Sequence, residues 1–366
     1  VFHLLKSADA LVLGDGPLAI DTEFHTEGTY LPRLHLIQVR ANGHDAQLID
    51  PHDDALLREV APRLLSRPWI VHAGEHDLPI LLRALGGIPD TVWDTQIAAG
   101  LVETHYPAGL AWLLHRWCGV DLEKAETLSD WSRRPLTPAQ QRYAALDVLH
   151  LHDLWDRLAE AAEALDRTAL VETACRAERE RAITPADEGT LWTRLPGAHS
   201  LDGVASSALQ ELAIWREREA AATDRPPHTI LNSRILVDLA KRRPADAKSL
   251  LSGRRAPKRV LRAHADALLG AIRRAERRPA FAHQDPVRPG TPLHARWAWW
   301  CALAEVDALR GSWAARLVLP QQDTRALARG IRPDLGWREA LVGTSIDAAR
   351  HGGRTIDLPS AARSGS

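Results

Sequence analysis

Asp21-Thr22-Glu23 interrupts an apolar run, Pro17–Phe24 (PLAIDTEF). Strand side chains two positions apart share a face, so Asp21 and Glu23 stand together in a segment otherwise suited to a core. Two like charges there are costly unless a cation neutralises them. A divalent ion is the simplest answer, because Mg²⁺ is hard and takes carboxylates together with phosphate oxygens. A strand end reaching solvent would explain the pair without any ion. Asp77 follows the run Trp69–Ala73 where a helix begins (HAGEHDLPILL), which is also a common place for a first-turn Asp. In Tyr143-Ala144-Ala145-Leu146-Asp147 the i, i+4 spacing sets a phenol and a carboxylate on one helical face. Asp21, Glu23, Asp77, Tyr143 and Asp147 thus form an ordered set of four carboxylates and a phenol. His and Cys show no ligand spacing, which disfavours a zinc hydrolase.

The elements that must position this set read as α/β. Short runs rich in β-branched residues, Pro17–Phe24, Leu34–Val39, Ala46–Asp50 and Trp69–Ala73, are each bounded by Gly, Pro, Asn or Asp and predict strands. Ala41-Asn42-Gly43 is the expected hairpin connection. Helices are predicted over Asp53–Leu65 and Leu78–Leu85, the second ended by Gly86-Gly87. Three strands in a meander, then alternating helices and strands, predict a mixed sheet flanked by helices. From Pro138 to Cys175 the pattern is helical, with Thr137 as N-cap and Pro138 at the first position. A segment richer in Pro, Gly, Thr and Asp follows. Helices are expected over Ala208–Ala222, Ser233–Ala240 and Pro257–Glu276, with a second helical block from His294 to Ala349 and a disordered tail, Pro359–Ser366.

A chain of 366 residues predicts two or three domains. The net charge of −1 conceals an asymmetry: residues 1–160 carry a net −10 and residues 161–366 a net +9. An acidic half suits cation binding, and a basic half suits a polyanion. The charge is densest at 241–278, with thirteen Lys/Arg against three Asp/Glu. The paired residues Arg242, Arg243, Arg254, Arg255, Lys258 and Arg259 are candidate nucleic-acid contacts. A solvated arginine-rich face is the competing explanation. Cys118, Cys175 and Cys301 form neither a disulfide framework nor a zinc pattern, so a reducing, cytoplasmic setting is expected. No apolar run is long enough to span a membrane, and the first residues lack the features of a signal peptide.

In order and context the five residues resemble the DEDD exonucleases of ribonuclease H-like fold, in the tyrosine-bearing branch and specifically the ribonuclease D family. IDTEF (Ile20–Phe24), VHAGEHDL (Val71–Leu78) and YAALD (Tyr143–Asp147) are similar to that family's three exonuclease motifs. LHLIQV (Leu34–Val39), WDTQIAA (Trp93–Ala99) and the stretch Leu122–Val148 are similar to its connecting segments. Leu209–Pro244 resembles the start of an HRDC domain, and the block ending in LGWREALVG (Leu335–Gly343) resembles a more degenerate one.

The resemblance implies a catalytic domain over 1–175, a linker over 176–203, an HRDC domain over 204–282 and a second HRDC-like domain over 291–366. It implies a 3′–5′ exoribonuclease that uses two divalent cations, Mg²⁺ or Mn²⁺. Asp21 would bridge the ions, Glu23 and Asp147 would complete the first, Asp77 would support the second, and Tyr143 would orient the attacking water. The implied substrates are tRNA precursors and other structured RNAs, met by a monomer in the cytoplasm. A DNA-directed exonuclease of the same branch and a non-catalytic RNA-binding scaffold are the alternatives. Gln38 and Lys124, family-like positions, are expected to be structural. Asp94 is expected to bond a neighbouring turn rather than take part in catalysis, and His72 to cap or pack at a strand end. Trp131 is expected to pack in the core, with stacking on a base or on an interdomain surface as alternatives.

Overall fold

A computed structural model describes residues 2–122, 129–185, 187–198, 201–253, 257–277, 281 and 287–351. They form two compact units. The first comprises residues 1–24, 34–184 and 287–366, and the second residues 25–33 and 185–286.

The first unit is built on a six-stranded sheet of order β1-β4-β3-β2-β5-β6. Its strands are β1 (Phe2–Leu4), β2 (Leu18–His25), β3 (Arg33–Ala41), β4 (Ala46–Ile49), β5 (Trp69–Val71) and β6 (Val92–Asp94). β3 and β4 pair antiparallel, across the turn in which Gly43 takes a positive φ of 76°. β5 is parallel to both β2 and β6, and β1 is parallel to β4. The mixed sheet expected from the strand pattern is present. β1 and β6 were not anticipated, since three residues are too few to show a period.

Alternation along β2 sorts its side chains. Leu18 and Ile20 face α1 (Asp54–Leu65) and α2 (Asp77–Leu85), in a core with Val60, Leu64, Leu78 and Leu81. On the other face, Ala19 packs with Ala145 and Val148. α3 (Thr95–Val102) and the short α4 (Leu110–Leu113) follow β6. Next comes α5 (Pro138–Leu149), which supplies Ala145 and Val148. Thr137 and Gln140 cap α5 reciprocally, each side chain meeting the other's backbone N–H at 3.0–3.1 Å. α6 (Leu151–Ala164) and α7 (Thr168–Ile183) complete this part, and α7 runs through the boundary expected at residue 175.

The second unit is helical: α8 (Gly203–Thr223), α9 (Pro227–Ile230), α10 (Ser233–Arg242), α11 (Ala247–Leu250), α12 (Lys258–Ala263) and α13 (Ala265–Glu276). The helix expected over Pro257–Glu276 divides at His264. Leu209, Leu212, Leu236, Leu239, Leu268 and Ile272 form its core. The buried Glu211 of α8 accepts a 2.8 Å hydrogen bond from Arg274 of α13.

The last helices, α14 (Pro292–Gly311), α15 (Ala315–Val318), α16 (Gln321–Ala328) and α17 (Glu339–Arg350), belong to the first unit. Trp300, Leu303, Leu317 and Ile346 share a core with Leu101 of α3, Leu158 of α6 and Val171 of α7. Among the described residues, no helix is long and apolar enough to cross a membrane.

Candidate active site

The same alternation that buries Ala19 turns Asp21 and Glu23 toward α5. On α5, Ala144 and Ala145 pack against the sheet, and the next turn presents Asp147. Carboxylate oxygens of Asp21, Glu23 and Asp147 come within 4.8 Å of one another, all three side chains half-buried. Among the described residues this is the only grouping of three or more His, Cys, Asp or Glu side chains able to hold a metal ion.

The electrostatics are those of an unneutralised cluster. Burial and then the charges of Asp77, Asp147 and Glu23 push the Asp21 carboxyl well above its usual range. Burial, then Asp147 and Asp77, raise Glu23 to about 8. Burial raises Asp147 to about 7. Among the described residues, no Arg or Lys forms an ion pair with any of them. Hard, half-buried oxygen donors without a side-chain counter-ion among the described residues fit Mg²⁺ or Mn²⁺.

Asp77 opens α2 and approaches from the opposite face of β2. There the Thr22 hydroxyl, one position out of phase with the two acids, donates to Asp77 Oδ1. Burial raises the Asp77 carboxyl to about 6, opposed by that hydrogen bond. The structure therefore brings Asp21, Glu23 and Asp147 into one group and holds Asp77 beside it, tied to Thr22. Tyr143 lies a turn before Asp147 on α5, its ring tilted against Trp131 at 6.1 Å. Trp131 is 3% exposed and packs with Leu36 and Leu48 in the core.

Supporting side chains fix these positions. Gln38, fully buried on β3, donates to Glu23 Oε1 at 3.5 Å. Asp94 accepts from three backbone N–H groups, those of Ala73 (3.0 Å), Gly74 (2.9 Å) and Gln96 (2.8 Å). It thereby caps α3 and clamps the turn that launches α2. That turn is tight: Ala73 has φ of +55°, and a Cβ on Gly74 would meet Val71 Cγ2 at 2.8 Å. His72, at the end of β5, bonds Thr95 Oγ1 at 2.9 Å. Arg134 joins the approach to α5 with Asp50 (2.5 and 2.8 Å) and with the His35 carbonyl (2.6 Å). Sequence reasoning missed Thr22. Its only signal was position, as the residue flanked by the two acids and facing the other way.

In the second unit the candidate basic residues divide. Arg242 is engaged by Asp238 at 2.7 Å and by the Ser249 carbonyl at 3.0 Å, and Arg243 lies 3.7 Å from Asp202. Lys258 and Arg259 open α12, exposed and without an ion pair among the described residues. Arg254, Arg255 and Lys124 lie outside the described residues.

Residues 3–163 match the family model described as 3'-5' exonuclease, and residues 206–272 match the HRDC domain. Ribonuclease D of Granulibacter bethesdensis is 30% identical over 352 residues, covering 92% of this chain and 87% of its own. The chain belongs to the ribonuclease D family. A family member from Xanthomonas oryzae pv. oryzae is 35% identical over 259 residues, covering 69% of this chain and 70% of its own. The crystal structure of Escherichia coli RNase D, described as an exoribonuclease involved in structured RNA processing, superposes with a TM-score of 0.80. That alignment is 25% identical and covers 97% of this chain and all of the other. With this membership and its acidic triad, the protein is a metal-dependent 3′–5′ exoribonuclease of the DEDD type.

Proposed function

We propose that the protein trims structured RNAs bearing a single-stranded 3′ tail, tRNA precursors among them, releasing nucleoside 5′-monophosphates. The observation that carries this reading is the convergence of Asp21, Glu23 and Asp147 within 4.8 Å, with no cationic side chain paired to them among the described residues. Asp21, Glu23 and Asp147 would hold the divalent ions, with Asp77 in support. Bound there, such ions polarise the phosphodiester and lower the pKa of the attacking water. Tyr143 would orient that water through its phenolic hydroxyl, a hydrogen-bonding group. Lys258 and Arg259, with their sequence neighbours Arg254 and Arg255, supply phosphate contacts. Arg242 and Arg243 contribute less, because Asp238 and Asp202 already engage them. The protein acts as a monomer in the cytoplasm. Three free thiols support a reducing compartment.

The test is a matched pair of 3′-tailed RNA and DNA oligonucleotides, incubated with Mg²⁺ with and without chelator. Nucleoside 5′-monophosphates should leave the RNA only when the ion is available. Faster loss from the DNA would establish the DNA-directed alternative. No release from either, with RNA still bound, would establish a scaffold.

A further inference from the structure

The C-terminal helices carry a groove that the chemistry above does not use. It measures about 720 Å³ and lies between the first turns of α14, the end of α16 and the end of α17. Trp299 and Trp300 form its wall, their rings edge-to-face at 4.8 Å. Arg296, Arg329 and Arg350 surround them, and among the described residues no Asp or Glu lines the groove. Trp300 is 5% exposed and anchored in the core, whereas Trp299 is half-buried and Arg296 and Arg350 are exposed.

A local role accounts for part of this charge. Arg296 Nε donates to the Ala328 carbonyl at 2.9 Å, and Arg350 donates to the Gly330 carbonyl at 3.2 Å, both at the end of α16. Two helix C-termini contribute about half a negative charge each. The lining keeps three guanidinium groups and, among the described residues, no carboxylate, although Asp347 acts electrostatically on Arg350 from outside it. Each of the two hydrogen bonds is made through one nitrogen of a guanidinium that carries five donors, so further donors remain for a ligand. Basic groups bordering an aromatic wall suit unpaired nucleotides, with phosphates on arginine and bases on indole.

We propose that this groove binds a single-stranded segment of the RNA substrate, with a base stacked on Trp299 and phosphates held by Arg296 and Arg350. The choice of RNA rests on the substrate reading above. Binding here is independent of the acidic triad.

The experiment measures binding of a labelled oligouridylate to the full chain by fluorescence anisotropy, in chelator so that nothing is cleaved, over a range of salt. Trp299→Ala should weaken binding by roughly fivefold to a hundredfold, the span for one stacked base, and Trp299→Phe should recover most of it. Arg296→Ala with Arg350→Ala should flatten the log–log salt slope by about 1.4, or 0.7 for each lost phosphate contact on a single strand. Affinity for blunt duplex RNA should not change. If Trp299→Ala unfolds, the two exposed arginines carry the test alone.

Unchanged oligouridylate affinity and salt slope in folded variants would overturn the proposal, as would equal losses on duplex. A dimer dispersed by Trp299→Ala with RNA affinity intact would assign the groove to a second copy and overturn it as well. If the wild type binds through Trp299 yet releases no nucleotide, the substrate reading fails and the groove stands. The reverse result fails the groove alone.

Discussion

Glu23, with a carboxyl raised to about 8, and Asp147, at about 7, state the site's requirement in terms of protons. Without metal the folded chain holds protons that the unfolded chain releases near pH 4. Stability is therefore fully present below the ordinary carboxylate range and is lost as pH rises toward 8, by about 1.4 kcal/mol per pH unit for each extra proton held. Calorimetry in chelator should show Tm falling from pH 5 to 8, and Mg²⁺ should raise Tm far more at pH 8 than at pH 5. A flat Tm in chelator across that range would mean the carboxylates are not coupled to the fold. Asp21→Asn separates stability from activity. It removes one like charge, so the metal-free protein should be more stable at pH 8, while nucleotide release is abolished and RNA binding persists. Asp147→Asn should do the same. Tyr143→Phe should remain clearly impaired yet retain orders of magnitude more activity than either. Turnover near wild type in Asp21→Asn or Asp147→Asn would remove the ligand assignment.

At the scale of elements, α2 and α5 bring their acids to β2 by different devices. α5 arrives through its own cap at Thr137 and the Arg134–Asp50 ion pair. α2 is launched from a turn held from outside, where Ala73 and Gly74 donate to Asp94. Asp94→Ala should leave backbone donors without their partner and cost about 2 kcal/mol or more, readable by urea denaturation. The same variant should weaken Mn²⁺ binding, because the turn that positions Asp77 loses its clamp. Mn²⁺ affinity equal to wild type in a folded Asp94→Ala protein would show that α2 holds its place without it.

On the scale of the molecule, the C-terminal helices are part of the catalytic unit's core. Ala314 N–H donates to the Gly100 carbonyl at 2.7 Å, and Arg167 donates to Leu101 and Ser312 carbonyls at 2.6 and 2.9 Å. At Gly100 an added Cβ would meet Leu317 Cδ2 at 2.6 Å and Tyr106 Cδ2 at 3.0 Å. Gly100→Ala should thus destabilise by about 1–3 kcal/mol through overpacking, although it touches no acid. A chain ended at Thr184 would expose Leu101, Leu158 and Val171, so it should aggregate rather than behave as a minimal nuclease. A monodisperse, active truncation under size-exclusion chromatography would contradict that packing.

Much of the site was legible because its signals are local. Alternation within β2 pairs Asp21 with Glu23, and the i, i+4 step pairs Tyr143 with Asp147, whatever the rest of the chain does. The order of the three motifs, the Thr137 cap and the central strands were legible for the same reason. The three-residue strands β1 and β6 carry no period, and the break at His264 has no Gly or Pro to announce it. Nor does any local pattern state that Thr22 bonds Asp77 or that Arg242 serves Asp238. The bond of Asp94 to a neighbouring turn was expected, and the structure names its partners, Ala73 and Gly74. The amino-acid order by itself determined which side chains could hold an ion and which face of each element they occupy. Only the tertiary structure decided that three of those acids meet within 4.8 Å, that Asp77 stands beside them, and that the last helices pack on α3, α6 and α7. Those outcomes depend on contacts between residues far apart in sequence, where burial and hydrogen-bond satisfaction are settled by the whole fold.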